Sequence, residues 1–275
     1  MPDRIPFYRR PPVIERVLSV WADMSDEIFE SHFEDWRAIV TPEYPVYEPL
    51  KQWLISVTAT DREGEEGLPL FDPTQPELRI TPRFSKKTSK EGFDWSIRCP
   101  RGQLTVNMHS SPDQGLTRRY ATLRAEFARW LPLWIETFSV KSALKINVAY
   151  VNLINRDTVP KFVNEKGELA LSEVITVFSI PGKHEHIVSP FDCKVTLQLH
   201  GEHSSLLRLT VNDWPDAKIA PAVRLDFAVD VLDPKVGASV EGIMALLDWC
   251  HQRIIERFEV VFTPKVKQTF DPITQ

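Results

Sequence analysis

Glycine is the residue that this sequence lacks most clearly. The chain of 275 residues contains 10 glycines, about 3.6% and roughly half the usual share. Nucleotide-binding folds hold phosphates on glycine-rich loops, and the sequence has no such loop, no nucleophile elbow and no kinase signature. The shortage therefore disfavours nucleotide chemistry, and no motif indicates a cofactor.

Cysteines and long apolar runs are also scarce. Cys99, Cys193 and Cys250 are far apart and form no Cys-x-x-Cys pair, so we interpret them as reduced, mostly buried thiols rather than zinc ligands or a disulfide framework. The most apolar stretches, 130–135 and 243–250, are far shorter than the roughly 20 residues that span a bilayer. The start of the chain lacks the apolar core of a signal peptide. These features predict a cytoplasmic protein with no membrane association.

Proline is abundant and marks the boundaries of the predicted elements, because it ends helices and interrupts strands. The chain has 22 prolines and a formal net charge of −5. A negative balance argues against a general affinity for nucleic acid, which requires clustered lysine and arginine.

The spacing of apolar residues predicts a mixed structure. The segment 61–76 is acidic and contains glycine and proline, so it is predicted to be a surface loop. Residues 171–178 fit either a short helix or a strand. Apolar residues three and four positions apart predict helices over 25–40, 117–138 and 239–261. Alternation predicts strands at 13–21, 53–60, 77–85, 92–98, 103–110, 144–153, 191–200, 204–213 and 222–231.

The order of these elements predicts an α+β fold. Three strands followed by a long helix occur over 77–138 and again over 191–261. We therefore expect two consecutive antiparallel sheet units, residues 1–155 and 156–275, each covered by a long helix and packed as one compact body. The repeated order looks like a degenerate duplication.

Several short segments stand together as landmarks. Pro11–Glu15 opens the first strand, Tyr120 begins the second helix, Tyr150–Asn152 ends the next strand, and His251–Phe258 leads into Thr263. Together they resemble a sporadically distributed bacterial family of uncharacterised proteins of about this length. The resemblance implies the fold boundaries over nearly the whole chain and no activity. The family's patchy distribution implies a defence-associated context.

Polar residues in otherwise apolar segments are the first candidates for binding. Glu15, Tyr150 and Asn152 lie in predicted strands, where inward-facing side chains either pair within the protein or line a ligand cavity. Tyr120 stands at the start of the second helix, and His251 lies just off the apolar stripe of the last one.

Basic pairs and one aromatic residue complete the candidate binding set. Arg118 and Arg119 are adjacent near a predicted helix start, where they could meet a phosphate or an acidic partner. Trp214 lies in a predicted loop, and exposed aromatic side chains favour interfaces.

Four histidines are close enough in sequence to suggest a metal site as an alternative. No two of them have the helical spacing that pairs ligands on one face, so an ordinary polar loop is the favoured interpretation. The candidate ligands are His184, His186, His200 and His203.

The favoured hypothesis is a non-catalytic binding protein, an accessory or recognition component of a bacterial defence or toxin-linked system. It would bind a protein partner, or a second copy in a homodimer, through an open sheet face or strand edge. Two alternatives stay open. One is a metal-dependent hydrolase or nuclease that uses residues 184–203, and the other is a nucleic-acid or nucleotide binder that uses the arginine and lysine pairs.

Overall fold

A computed structural model of the chain defines its secondary structure. It describes residues 7–8, 11–54, 57–60, 70–73, 77–88, 93–109, 120–165, 169–176, 192–199, 203–213 and 222–273. These residues combine antiparallel strands with helices, which confirms the predicted α+β class.

The described strands and helices follow the chain in this order. The strands are β1 (Phe7–Tyr8), β2 (Val13–Ala22), β3 (Val46–Tyr47), β4 (Leu50–Leu54), β5 (Val57–Thr60), β6 (Leu70–Pro73), β7 (Glu77–Thr81), β8 (Arg83–Thr88), β9 (Phe93–Arg98), β10 (Gln103–His109), β11 (Ala143–Asn155), β12 (Asp192–Leu199), β13 (Ser205–Asp213), β14 (Ala222–Leu232) and β15 (Pro272–Ile273). The helices are α1 (Asp26–Val40), α2 (Tyr120–Thr137), α3 (Leu171–Val174), α4 (Val240–Val261) and α5 (Pro264–Lys267), with 3₁₀ turns at Pro160–Phe162 and Gln268–Phe270.

One antiparallel sheet contains nine of these strands, in the order β12-β13-β14-β11-β2-β10-β9-β8-β3. The strands of both sequence units therefore belong to a single sheet rather than to two. β2 and β11 join them, with Leu18 opposite Val148 and Arg16 opposite Tyr150. This pairing satisfies backbone groups that two separate sheets would leave unpaired at their edges.

A two-stranded ribbon lies outside this sheet. β4 pairs with β7 and β5 pairs with β6, so that Leu50 stands opposite Thr81 and Thr60 opposite Leu70. The predicted strand 77–85 is divided at Pro82, and the predicted strand 53–60 includes residues of β4 and β5. The prediction of a loop over 61–76 is wrong for residues 70–73, because their backbone pairs with β5.

The three long helices confirm the predicted helical segments. Ser25 caps α1 by accepting a hydrogen bond from the Ile28 N–H at 3.2 Å. Ser239 caps α4 in the same way for the Gly242 N–H at 3.1 Å. These caps satisfy donors that the first turn of a helix leaves free. None of the described helices combines the length and the apolar character needed to cross a membrane.

The core lies between one face of the sheet and helices α1, α2 and α4. Trp36 of α1 meets Trp130 of α2 edge to face, with ring centroids 6.0 Å apart. Trp134 is also fully buried, as the spacing along the helix predicted. The predicted stripe of α4 is buried throughout: Ile243, Leu246, Leu247, Cys250, Ile254, Phe258 and Val261.

Strand alternation gives the sheet two chemically different faces. The helix-facing face carries buried apolar residues such as Leu18, Val148 and Phe227. The opposite face, which we call the polar face, carries Ser19 and Asn147 on the same two central strands. Helix α4 packs on the helix-facing side: His251 contacts Tyr150, and Phe258 contacts Phe227.

Two glycines, Gly102 and Gly237, adopt a left-handed backbone conformation and offer a test of the structure around them. Gly102 has φ +68°, and a Cβ there would lie 2.5 Å from the Ala22 carbonyl oxygen. Gly237 has φ +58°, and its Cβ would meet the Lys141 carbonyl oxygen at 3.8 Å. We expect Gly237→Ala to cost about 1–2 kcal/mol of unfolding free energy for the conformation alone. Gly102→Ala should cost clearly more, because backbone must also move. If urea unfolding showed equal losses of unfolding free energy for Gly102→Ala and Gly237→Ala, the close approach of Gly102 to the Ala22 carbonyl would be contradicted.

Candidate functional site

Four of the predicted binding residues share the helix-facing side of the sheet. We call them, together with Arg16, the inner cluster: Arg16 of β2, Tyr150 and Asn152 of β11, Tyr120 of α2 and His251 of α4. The first turn of α2 and the middle of α4 place their side chains over the end of the β2–β11 pair.

His251 is held between two tyrosines that come from different elements. The Tyr150 hydroxyl lies 2.7 Å from Nδ1 of His251. The imidazole ring stacks on Tyr120, with centroids 3.9 Å apart and an angle of 10° between the ring planes. The landmark residues that the sequence singled out are therefore in direct contact.

An ion pair between α2 and α4 fixes Tyr120. Its hydroxyl donates to Oδ1 of Asp248 at 2.9 Å. Arg124, one turn along α2, donates to both oxygens of Asp248, from Nε at 2.7 Å and from Nη2 at 2.9 Å. Asp248 and His251 are three residues apart, so they lie on the same side of α4.

Arg16 brings a positive charge into this cluster. Only 7% of the residue is exposed, and its guanidinium carbon lies 5.5 Å from the centre of the Tyr150 ring. No carboxylate of the described residues forms an ion pair with it. Burial lowers the pKa of Arg16, while the neighbouring Tyr150 opposes that shift. A buried charge without a charged partner costs several kcal/mol.

Burial sets the protonation of the inner cluster at neutral pH. It lowers the pKa of His251 to about 4, with Arg16 adding to the effect and Asp248 opposing it. It also raises the pKa of Tyr150 and of Tyr120, the latter further through its hydrogen bond to Asp248. The imidazole of His251 and both phenols are therefore neutral near pH 7. A general acid or base works best with a pKa near the operating pH.

Glu15, another predicted binding residue, lies on the polar face and therefore on the opposite side of the sheet from the inner cluster. Its Oε1 accepts a hydrogen bond from Nδ2 of Asn107 at 2.6 Å. The same oxygen is 3.3 Å from Nε2 of His109 and 3.9 Å from Nη2 of Arg98. Glu15 thus holds a network that joins β2, β10 and β9.

Two arginines stand directly opposite each other on the polar face. Arg83 of β8 pairs in register with Arg98 of β9. The Nε atoms of both side chains are buried, and neither has a hydrogen-bond partner. Burial lowers the pKa of Arg98, and Arg83 lowers it further while Glu15 opposes the shift. Like charges directly opposite across two strands destabilise a sheet.

Carboxylates on the other half of the polar face are paired. Asp230, 2% exposed, lies 3.0 Å from Nζ of Lys145 and 2.8 Å from Nη2 of Arg208. Asp226 is 2.8 Å from Nη2 of Arg224. By register, this face carries both cations and carboxylates. The cations are Arg83, Lys87, Arg98, Lys145, Lys194, Arg208 and Arg224, and the carboxylates are Glu15, Asp94, Asp192, Asp226 and Asp230.

The other sequence candidates are dispersed or fall outside the described residues. His203 packs edge to face on Trp249, with ring centroids 5.5 Å apart. In the ranges given above, no three histidine, cysteine, aspartate or glutamate side chains are grouped as metal ligands would be. Outside those ranges lie His184, His186, His200, Arg118, Arg119 and Trp214.

The three thiols agree with the interpretation from sequence. Cys99 and Cys250 are buried and Cys193 is half-buried, and all three are free. Burial raises the pKa of Cys99 and of Cys250. Both buried thiols are therefore protonated at neutral pH, whereas nucleophilic catalysis requires a thiolate.

Three comparisons with known proteins, by family model, curated sequence and solved structure, found no match for this chain. Inferences about its function therefore rest on its own residues and geometry.

Acid should destabilise the protein through His251. Its pKa is about 4 in the folded protein against an ordinary 6.5, so between these values the unfolded chain binds a proton that the folded chain does not. The resulting penalty is absent above about pH 7 and grows as the pH falls toward 4. Between pH 7 and pH 5, urea unfolding should show the wild type losing roughly 1–2 kcal/mol more than His251→Phe. Parallel losses would contradict a neutral, buried imidazole.

Removing one member of the arginine pair should stabilise the protein. Arg83→Gln keeps a polar side chain, removes the charge and relieves the repulsion with Arg98, so we expect a gain of about 0.2–1 kcal/mol in unfolding free energy. Arg37→Gln is the control for the loss of an arginine outside this pair: Arg37 lies on α1, 3.5 Å from Glu34 and 5.0 Å from the centre of the Tyr47 ring, so its loss should not stabilise the protein. A loss in Arg83→Gln would mean that the arginine is paired.

Proposed function

We propose that this chain is a non-catalytic recognition protein that binds an acidic surface of a protein partner through the polar face of its sheet. One observation carries the proposal: Arg83 and Arg98 stand opposite each other with buried Nε atoms that have no hydrogen-bond partner. A carboxylate between the two guanidinium groups would relieve their repulsion and supply the missing acceptors.

The accessibility of this face supports a macromolecular partner. The side chains of Arg98, Arg208 and Arg224 are 35%, 48% and 39% exposed. Between these cations, Val17, Ala149 and Ala228 occupy neighbouring positions on three adjacent strands. Small side chains at the centre allow another chain to approach the sheet closely, with charged groups at the rim that select it.

The pattern of charge favours a protein over a nucleic acid. Glu15, Asp226 and Asp230 lie among the cations of this face, where they would repel a continuous row of phosphates. A protein surface carries both signs of charge and can complement such a mixed pattern.

The cellular context is a proposal that rests on the resemblance described above. The landmarks of the bacterial family support an accessory role in a defence or toxin-linked system, in the cytoplasm. The homodimer considered from the sequence is an alternative that solution mass measurements address.

We also propose that the two halves derive from a duplication. Reading outward from the β2–β11 pair, one side of the sheet runs β10, β9, β8 and the other runs β14, β13, β12. Each half thus contains one long central strand and three further strands that lead into a long helix, α2 or α4.

Acidic peptide binding provides the test of the recognition surface. A fluorescent hexaglutamate peptide should bind the wild type at low salt, and Arg98→Gln and Arg83→Gln should each weaken binding at least fivefold. The affinity of Arg37→Gln should stay within twofold of the wild type, because Arg37 lies on α1, on the other side of the sheet from the polar face. Equal affinities in all four proteins would contradict the proposed surface. Tighter binding of a random DNA duplex that is also lost in Arg98→Gln would favour the nucleic-acid alternative instead.

The natural partner is then sought with the same variants. The wild type, cross-linked in extracts of the source cells, should capture a protein that Arg37→Gln also captures and Arg98→Gln does not. Capture that is indifferent to Arg98 would place the interface elsewhere on the molecule.

A further inference from the structure

The inner cluster contains a buried cation that has no carboxylate partner among the described residues. Arg16 is 7% exposed, and its guanidinium contacts Tyr150 through the ring and through a side-chain hydrogen bond. Neither Asp248 nor Glu15 pairs with it, since Asp248 binds Arg124 and Glu15 lies on the other face. A guanidinium placed under a helix without an anion is costly to bury.

A buried acceptor without a partner lies on the same side of the sheet. Asn152 is 0% exposed, and its Nδ2 donates to the Leu225 carbonyl oxygen at 2.9 Å. That bond fixes the orientation of the amide, and Oδ1 is left with no hydrogen-bond partner. Asn152 follows Tyr150 by two residues and Tyr150 pairs with Arg16, so the amide and the guanidinium are diagonal neighbours on one face.

An open groove of about 650 Å³ lies between α2 and α4. Asp248 lines the groove and accepts the hydroxyl of Tyr120, which stacks on His251. The charge of Asp248 is neutralised by Arg124. The lining residues are Arg124, Ser239, Val240, Glu241, Met244, Ala245 and Asp248.

We propose that Arg16 and Asn152 form a buried binding site for a small organic oxyanion that also carries a hydrogen-bond donor. The oxyanion pairs with the guanidinium of Arg16, and the donor, a hydroxyl or an amine, reaches Oδ1 of Asn152. The site lies on the opposite side of the sheet from the proposed recognition surface and does not depend on it.

The ligand class follows from the uncompensated charge of Arg16 and the unpartnered Oδ1 of Asn152. A guanidinium offers paired N–H donors that match the two oxygens of a carboxylate or phosphate. The free amide oxygen accepts a hydrogen bond, so a ligand with a donor next to its charge satisfies both residues at once. Tyr150 and His251 add neutral polar walls.

Calorimetric titration with defined anions tests the site. The probes are acetate, glycolate and inorganic phosphate at constant ionic strength, with chloride as the reference. Glycolate joins a carboxylate to a hydroxyl donor, so it should bind the wild type at least fivefold more tightly than acetate. Binding of phosphate above glycolate would assign the oxyanion to the phosphate class. If no probe binds more tightly than chloride, the proposal is wrong.

Three variants separate a binding role from a structural one. Arg16→Met keeps the shape of the side chain and removes the charge, so it should weaken the preferred probe at least tenfold while the melting temperature of the free protein stays equal or rises. Arg16→Lys keeps the charge without the paired donors and should weaken it about fivefold. Arg224→Met, whose cation lies on the polar face beside Asp226, should leave the affinity within twofold.

Asn152→Asp gives an independent readout. The new carboxylate would lie on the same face as Arg16 and act as an internal anion, so anion binding should fall at least tenfold, whatever the loss of the bond to the Leu225 carbonyl costs in stability. Unchanged affinity in Asn152→Asp or in Arg16→Met would overturn the proposal.

Discussion

The antiparallel pairing of β2 with β11 is the contact on which the rest of the structure depends. It joins the strands of the two halves into one sheet, and its register places Arg16 opposite Tyr150 and Ser19 opposite Asn147. Because side chains alternate between the faces of a strand, a shift of one residue would exchange the two faces. The inner cluster and the polar face are thus two consequences of one register.

The two faces differ in how their charges are satisfied. On the polar face, the buried Asp230 pairs with Lys145 and Arg208, and these ion pairs offset the free energy that it costs to desolvate the carboxylate. Arg16 on the helix-facing side has no carboxylate partner among the described residues, and the buried Nε atoms of Arg83 and Arg98 have no hydrogen-bond partner. Natural sequences tend to break the rules of polar satisfaction at functional sites rather than at random.

The inner cluster shows that contact between polar side chains does not by itself make them reactive. His251 contacts both Tyr120 and Tyr150, an arrangement that also occurs in catalytic sites. Burial, however, moves the pKa of the imidazole down and the pKa of both phenols up. The neutral His251 packs between the neutral Tyr120 and Tyr150. The ion pair of Asp248 with Arg124 links α4 to α2 beside them.

The sequence by itself determined the helices, most strands and the buried stripes, because each depends on the spacing of residues close together in the chain. It also singled out Tyr120, Tyr150, Asn152 and His251, since polar residues among apolar ones need partners. It could not find Arg16 or the facing of Arg83 and Arg98, which depend on which strands pair and in what register. The tertiary structure decided those contacts, and it also placed Glu15 on the face opposite Tyr150, because the register pairs Tyr150 with Arg16 rather than with Glu15.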